Sequence, residues 1–357
     1  MVSVIKEISQ IVSAYFNHGY PPFIYHHSDI DSYLPVFYYH NISVPEFEEH
    51  LIYLRENFYS TVTLDEAILI IESKNRLRKE VVLTFDDGLE NYYYHIFPLL
   101  LKYNMKAVFY TVPAWVDTPG FLTWEQCREM YNSGLVDFQS HSYSHSKIIT
   151  KVEIKYIKEN KDKNNLIWNI AGIEIGYILK DFKYLPVFEG SSLFNASFGY
   201  DLPIAFWEKC IEINNQIDYP YIKKVISKRI MKNKYNKILK IYSQEIKNLG
   251  NNEIFQKMIN DLNKSKNMIE KKIEGQKVNH FAFPWHENSE LSWHALKEAG
   301  FLSGAIGLDI PNFHRVHTHP VYKICRVNGD FLYCLPGNRC NTFKQILYRK
   351  IKRRINN

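Results

Sequence analysis

The chain has 357 residues, 46% apolar and 15% aromatic, enough for a sizeable packed core and too apolar for a disordered protein. Its five cysteines, Cys127, Cys210, Cys325, Cys334 and Cys340, show neither CxxC nor paired spacing, which excludes a disulfide framework and a cysteine-rich zinc site and favours a reducing compartment. The net charge of +6 is uneven: seven basic residues and no acid follow Asp330, the rest is near neutral, and a nucleic-acid role is not suggested.

The N-terminus lacks a charged stretch followed by an apolar run and a cleavage site, and no segment approaches about 18 uninterrupted apolar residues, so a cytoplasmic protein without a membrane span is expected. "LPVFYY" (34–39) reads as a first strand, and Ser43 with Glu46 forms a capping-box pattern opening the helix "PEFEEHLIYLRENF". "STVTL" is a second strand, after which Thr63 and Glu66 open another helix. "EVVLTF" (80–85) has the continuous apolar character of a buried parallel strand, "YYYHIFPLLLKYN" follows as helix, and "KAVFYTV" as strand. Thr123 and Gln126 cap "WEQCREMYN", and "LVDFQS" (135–140) is one more strand. This alternation predicts a parallel sheet or barrel.

The rhythm stops near residue 150. From Lys151 to about Asn260 the chain is rich in Lys, Asn, Ile and Tyr, with a basic amphipathic helix between Tyr221 and Lys247, and is read as an inserted, mostly helical subdomain. The βα pattern resumes with "VNHFAFPW" (278–285), the helix "ELSWHALKEAG" and the strand "FLSGAIGL". The expected organisation is 1–150 and 261–335 as two parts of one α/β barrel, 151–260 as insertion, and 336–357 as a basic tail.

Chemistry is expected where strands end. "VVLTF" delivers two adjacent carboxylates, Asp86 and Asp87, before Gly88, and "DFQSHSYSHSKI" places His141 and His145 four residues apart, a spacing at which two imidazoles can grip one divalent cation. Together they make a two-His, one-carboxylate set with open positions. Separately, DDG suits a helix cap and HxxxH an ordinary polar loop.

These motifs, "TFDDG" and "HSYSH", with "FAFPW" and "LKEAGF" after them, resemble the polysaccharide deacetylase family of carbohydrate esterases, which includes chitin, peptidoglycan and poly-N-acetylglucosamine deacetylases. The resemblance covers about 34–150 and 262–330 and implies a distorted (β/α) barrel and a metal-dependent carbohydrate N-deacetylase. It implies Asp86 as catalytic base and Asp87, His141 and His145 as ligands of a divalent metal, most often Zn2+. His40, in "FYYH", matches the general acid of the poly-N-acetylglucosamine type. Trp285 would offer a backbone N–H to the oxyanion and wall the sugar site. His286 stands where the family has glycine and would contact substrate or cap a helix. The family's usual arginine at this motif is missing; Arg326, in "YKICRVNGD", is the candidate to orient Asp86.

The implied substrate is an N-acetylated sugar, free in a glycan or nucleotide- or lipid-linked, in an intracellular capsule, O-antigen or natural-product pathway. The basic tail would allow peripheral contact with an anionic inner membrane. Two rivals stand beside this reading, a carbohydrate-binding protein without turnover and a membrane-associated glycan-assembly protein. The group His314, His317 and His319 is read as an exposed loop.

Overall fold

The computed structural model describes residues 9, 11–17, 19–25, 34–72, 79–159, 184–215, 224–307 and 321–356. His26, His27 and the group His314, His317 and His319 lie outside them. The strands are β1 (Val36–Tyr39), β2 (Ser60–Thr61), β3 (Glu80–Asp87), β4 (Ala107–Thr111), β5 (Val136–Ser140), β6 (Lys147–Glu159), β7 (Tyr184–Ser192), β8 (Gly199–Asp201), β9 (Lys247–Leu249), β10 (His280–Ala282), β11 (Ser303–Ile306), β12 (Tyr322–Cys325) and β13 (Val327–Asn328).

Nine of them form one sheet in the order β12-β11-β10-β5-β4-β3-β1-β13, with β2 on β3, and every pairing in it is parallel. Its two edges, β12 and β13, are consecutive in the chain and separated only by Arg326. The sheet therefore curls into a nearly closed barrel with its seam at that residue, the (β/α) architecture the alternating pattern implied.

Register is fixed by rings. Tyr39, Phe85, Phe109 and Phe138 are cross-strand partners on β1, β3, β4 and β5, with successive ring centroids 5.1, 4.9 and 5.8 Å apart. They face the helices outside the barrel. Side chains alternate along a strand, so Val82, Thr84 and Asp86 must face inward. The interior takes Val36, Val82, Val108, Ala282, Ala305 and Ile324 as an apolar layer beneath Tyr110. A slip of one residue would turn Asp86 out of the barrel. Phe85 is fully buried, and Phe85→Ala is expected to cost about 3–5 kcal/mol in chemical denaturation; a cost below about 1 kcal/mol would show that the rings do not hold the strand.

Below the apolar layer lies a polar floor. His280 Nδ1 is 2.8 Å from Ser303 Oγ and its Nε2 3.1 Å from Asp65 Oδ1. The connectivity imitates a Ser-His-Asp triad, but His280 and Ser303 are fully buried, so no substrate reaches them and the network is structural. His50 is likewise buried, against the Tyr39 hydroxyl at 3.0 Å.

Of the three capping boxes read from the sequence, those at Thr63/Glu66 and Thr123/Gln126 close on both sides. Ser43 makes no side-chain cap. The second helical position there is Pro45, which has no N–H to give. The helix expected from Tyr92 starts instead with a wide turn, Tyr92–Ile96, before Phe97–Tyr103 becomes regular; Pro98 cannot donate to the Tyr94 carbonyl.

The insertion holds helices Ile204–Asn215 and Lys224–Ile241, and also a four-stranded antiparallel sheet, β7-β6-β8-β9. Phe206, Trp207, Met231 and Tyr235 pack with Ile154, Leu185 and Phe188 into a separate core. Its first strand starts at Lys147. The helix Asn251–Lys272 belongs to the barrel, burying Ile254, Met258, Leu262 and Ile269 in the main core.

The basic tail is a helix, Phe343–Asn356, docked through Phe343 and Ile346 into that core. Lys350 pairs with Asp330 at 3.2 Å and Arg349 lies over the Tyr333 ring at 5.4 Å, so part of the charge expected to face a membrane is bound to the barrel. Among the described residues no helix is long and apolar enough to cross a membrane.

Candidate active site

Parallel strands put all their carboxyl ends at one rim, and the candidate residues gather there. Asp86 and Asp87 end β3, His141 follows β5, Trp285 and His286 follow β10, and His40 follows β1. Five of the non-glycine residues with positive φ are at this rim, namely Asp87, Ser142, His145, Trp285 and His286, at 75°, 71°, 51°, 56° and 61°. Such backbone is costly and persists where the surroundings over-determine it. Gly88, also at φ 75°, takes the turn after the aspartates.

The His141–His145 loop is held from inside. Ser142 Oγ accepts the His145 N–H at 2.9 Å. Asp261, from the helix Asn251–Lys272, accepts the Tyr143 N–H at 2.8 Å and the Ser144 hydroxyl at 3.1 Å. His141 Nδ1 lies 2.8 Å from the Ala282 carbonyl. A carbonyl only accepts, so Nδ1 carries the proton and Nε2 is left with a lone pair. That Nε2 is 3.6 Å from Asp87 Oδ1, and His145 Nε2 is 3.9 Å from the same oxygen. One ligand atom from each of Asp87, His141 and His145 falls within 4.8 Å of the others. Two imidazoles, one with its tautomer fixed, and a carboxylate with open space beside them fit a divalent cation.

The neighbouring carboxylate is in other hands. Arg326 donates Nη1 to Asp86 Oδ1 at 2.7 Å and Nη2 to Oδ2 at 2.9 Å, and Nη1 also reaches Thr84 Oγ1 at 3.1 Å. Burial alone would raise the Asp86 carboxyl, but the guanidinium, helped by His141 and His40, holds it well below the usual carboxylate range. Burial pushes Asp87 the other way, upward, against the pull of His141 and His40. A cation between the imidazoles opposes that rise. The two aspartates are thus set apart by environment.

His40, with 45% of its side chain exposed, places Nε2 at 3.6 Å from Asp86 Oδ2. The Tyr92 hydroxyl lies 2.6 Å from the His40 carbonyl and 2.9 Å from that of Asp86, tying the two strand ends together. His286 packs edge-on against Tyr38, with ring centroids 4.9 Å apart. Burial, then the Arg326 charge, drives its pKa down to about 3, so at neutral pH this imidazole holds no proton to give as an acid. Trp285 meets the His145 ring at 4.2 Å.

His40, Asp86, Asp87, His141, His145, Trp285 and His286 all line one cleft of about 270 Å³, with Leu89, Trp115 and Phe121 as its apolar wall. Arg326 does not line it. It is fully buried beneath Asp86 and reaches the cleft only through that carboxylate. Sequence reading did not find Tyr92, Asp261 or Trp115. A larger cavity, about 600 Å³, lies between the helices Val44–Glu56 and Phe343–Asn356 and contains none of the site residues.

The family model described as polysaccharide deacetylase matches residues 73–179, which include Asp86, Asp87, His141 and His145. The chain is 34% identical over 146 residues to the Bacillus subtilis protein YxkH, itself classed as a polysaccharide deacetylase, covering 38% of this chain and 52% of that protein. It is 36% identical over 112 residues to the poly-beta-1,6-N-acetyl-D-glucosamine N-deacetylase of Escherichia coli K12, covering 27% of this chain and 17% of that protein. The chain therefore spans about half or less of these relatives. Among solved structures, a de-N-acetylase from Aggregatibacter actinomycetemcomitans superposes with a TM-score of 0.52 at 20% identity, covering 83% of this chain and 95% of that one. That likeness is one of fold.

Proposed function

We propose that this chain, whose residues 73–179 match the polysaccharide deacetylase model, is a metal-dependent N-deacetylase acting on an N-acetylated sugar of a glycan or glycan precursor. The observation that carries the reading is the pairing, in one cleft, of a cation-sized Asp87–His141–His145 set with a separate carboxylate kept ionised by Arg326.

Asp87 Oδ1, His141 Nε2 and His145 Nε2 would hold the cation, zinc being the commonest match for this donor set. When bound, it supplies Lewis acidity, acidifying water and offsetting charge that develops on the acetamide oxygen. Asp86 takes the proton of the attacking water at Oδ2, the oxygen that faces His40. His40 Nε2 hands a proton to the departing amine. Trp285 closes the sugar side of the cleft and directs its backbone N–H at the oxyanion. His286 stays neutral and shapes the floor. Arg326 positions Asp86 and fixes its charge. The substrate class is supported by the names of the relatives, which act on poly-N-acetylglucosamine.

The test is acetate release from an N-acetylglucosamine oligomer by the purified chain. Chelation is expected to abolish release, and added Zn2+ or Co2+ to restore it. Undiminished release after exhaustive chelation would remove the cation from the mechanism, and no release with any cation added would remove the deacetylase reading.

A further inference from the structure

Charge is segregated in this chain. Residues 147–250 carry 18 basic and 11 acidic side chains, whereas the rest of the chain carries 26 and 27. The insertion segment is therefore net positive beside a near-neutral remainder. It is fixed to the cleft wall. The Ser192 N–H donates to Glu287 Oε2 at 3.1 Å, the Ser289 hydroxyl donates to the Phe194 carbonyl at 3.0 Å, and Leu193 N–H reaches the Ser146 carbonyl at 3.1 Å. Phe194 packs on Phe281 and Phe283, with centroids 4.8 and 5.9 Å away.

This docking sets the first residue of β6, Lys147, against Trp285, a residue of the cleft lining, although Lys147 does not itself line the cleft. Its Nζ lies 4.3 Å from the centroid of the Trp285 ring. Lys147 is partly buried, and among the described residues it makes no ion pair. Glu287, on the same wall, is turned to the Ser192 amide instead. The partly buried ammonium rests on an aromatic face, a contact that leaves it able to take an anionic partner as well.

We propose that Lys147 is a specificity-determining residue that selects N-acetylated sugars bearing an anionic group, a phosphate being the best fit to a single ammonium, next to the unit being deacetylated. The inference rests on the deacetylase reading and narrows it. Lys147 meets the anion while Trp285 walls the adjoining sugar, and the net positive insertion draws the substrate to that rim. Attraction of this kind is screened by salt over about 10 Å at 0.1 M ionic strength.

The experiment compares kcat/KM for acetate release from three probes: methyl N-acetylglucosaminide, N-acetylglucosamine 1-phosphate, and polyprenyl diphosphate N-acetylglucosamine in neutral lipid vesicles. Wild type is expected to favour a phosphate-bearing probe over the neutral glycoside, with the advantage shrinking as salt rises. In Lys147→Gln the ratio of the two falls roughly 10- to 100-fold, while Lys147→Arg keeps most of it. Because each ratio is taken within one variant, partial unfolding cancels. Preference for the vesicle-borne probe identifies a lipid-linked source, and preference for the 1-phosphate a soluble one; either supports the proposal. Equal ratios in wild type and Lys147→Gln, or a neutral probe preferred by wild type, overturn it and leave the deacetylase reading intact. Acetate from none of the three, nor from the oligomer, fails that reading instead.

Discussion

Asp86→Asn is expected to lower kcat for acetate release by about 10²- to 10⁴-fold, the range associated with loss of a positioned general base. The substitution is nearly isosteric and leaves Asp87, His141 and His145 untouched, so cation affinity measured by competition titration should change little. An amide cannot take up the proton of the attacking water at neutral pH, and it presents only one acceptor to the Arg326 fork. Both effects remove what distinguishes this carboxylate from its neighbour. Retention of more than about a tenth of kcat, with the cation still bound, would mean that the base lies elsewhere.

Arg326→Met has the larger effect on folding. The pair is almost wholly buried, with Arg326 at 0% and Asp86 at 1% exposure. Removing one partner of a buried pair strands the other charge, at a cost of about 3–5 kcal/mol. The pH dependence follows in sign. Asp86 in the wild type is shifted downward by Arg326, so its contribution to stability is complete above the unfolded carboxylate value near about 4 and is lost as pH falls towards the folded value. In the variant, burial acts unopposed by the guanidinium, the folded carboxyl rises, and protonation relieves the stranded charge. The stability gap between the two proteins should therefore narrow on acidification. Denaturant titrations at pH 7 and pH 4, both with chelator, measure it; a gap that widens at pH 4 would contradict this account.

Much of the barrel could be read from the chain because its signals are local. Apolar runs ending in a short turn and a helix mark each βα unit, and the strand ends then locate Asp86, Asp87 and His141 without knowledge of distant contacts, whereas Trp285 came from the family resemblance. His40 and Arg326 needed the family resemblance, since a strand-end histidine and a late arginine have many uses. Other parts were hidden for physical reasons. β6 reads "KIITKVEIKYIKE", whose lysines and glutamates disfavour a strand locally, and its partner β7 begins at Tyr184, so tertiary pairing decides its state. Asp261 looks like any helix carboxylate until the loop 117 residues upstream of it is in place. Tyr92 sits among three consecutive tyrosines, and it is the one whose hydroxyl ties the His40 and Asp86 strand ends together.

The barrel seam has a consequence for how activity arises during synthesis. The base and its counterion are 240 residues apart, and the arginine is the very residue at which the chain passes from the last strand on one edge to the first on the other. A nascent chain that has emerged only through the insertion already contains the proposed cation ligands, base and acid, but neither Arg326 nor Asp261, which holds the His141–His145 loop. Its Asp86 is still without the charge that orients it, and the sheet is still open. On the proposed mechanism, chains truncated before Arg326 are expected to release no acetate, because Asp86 has no guanidinium to orient it.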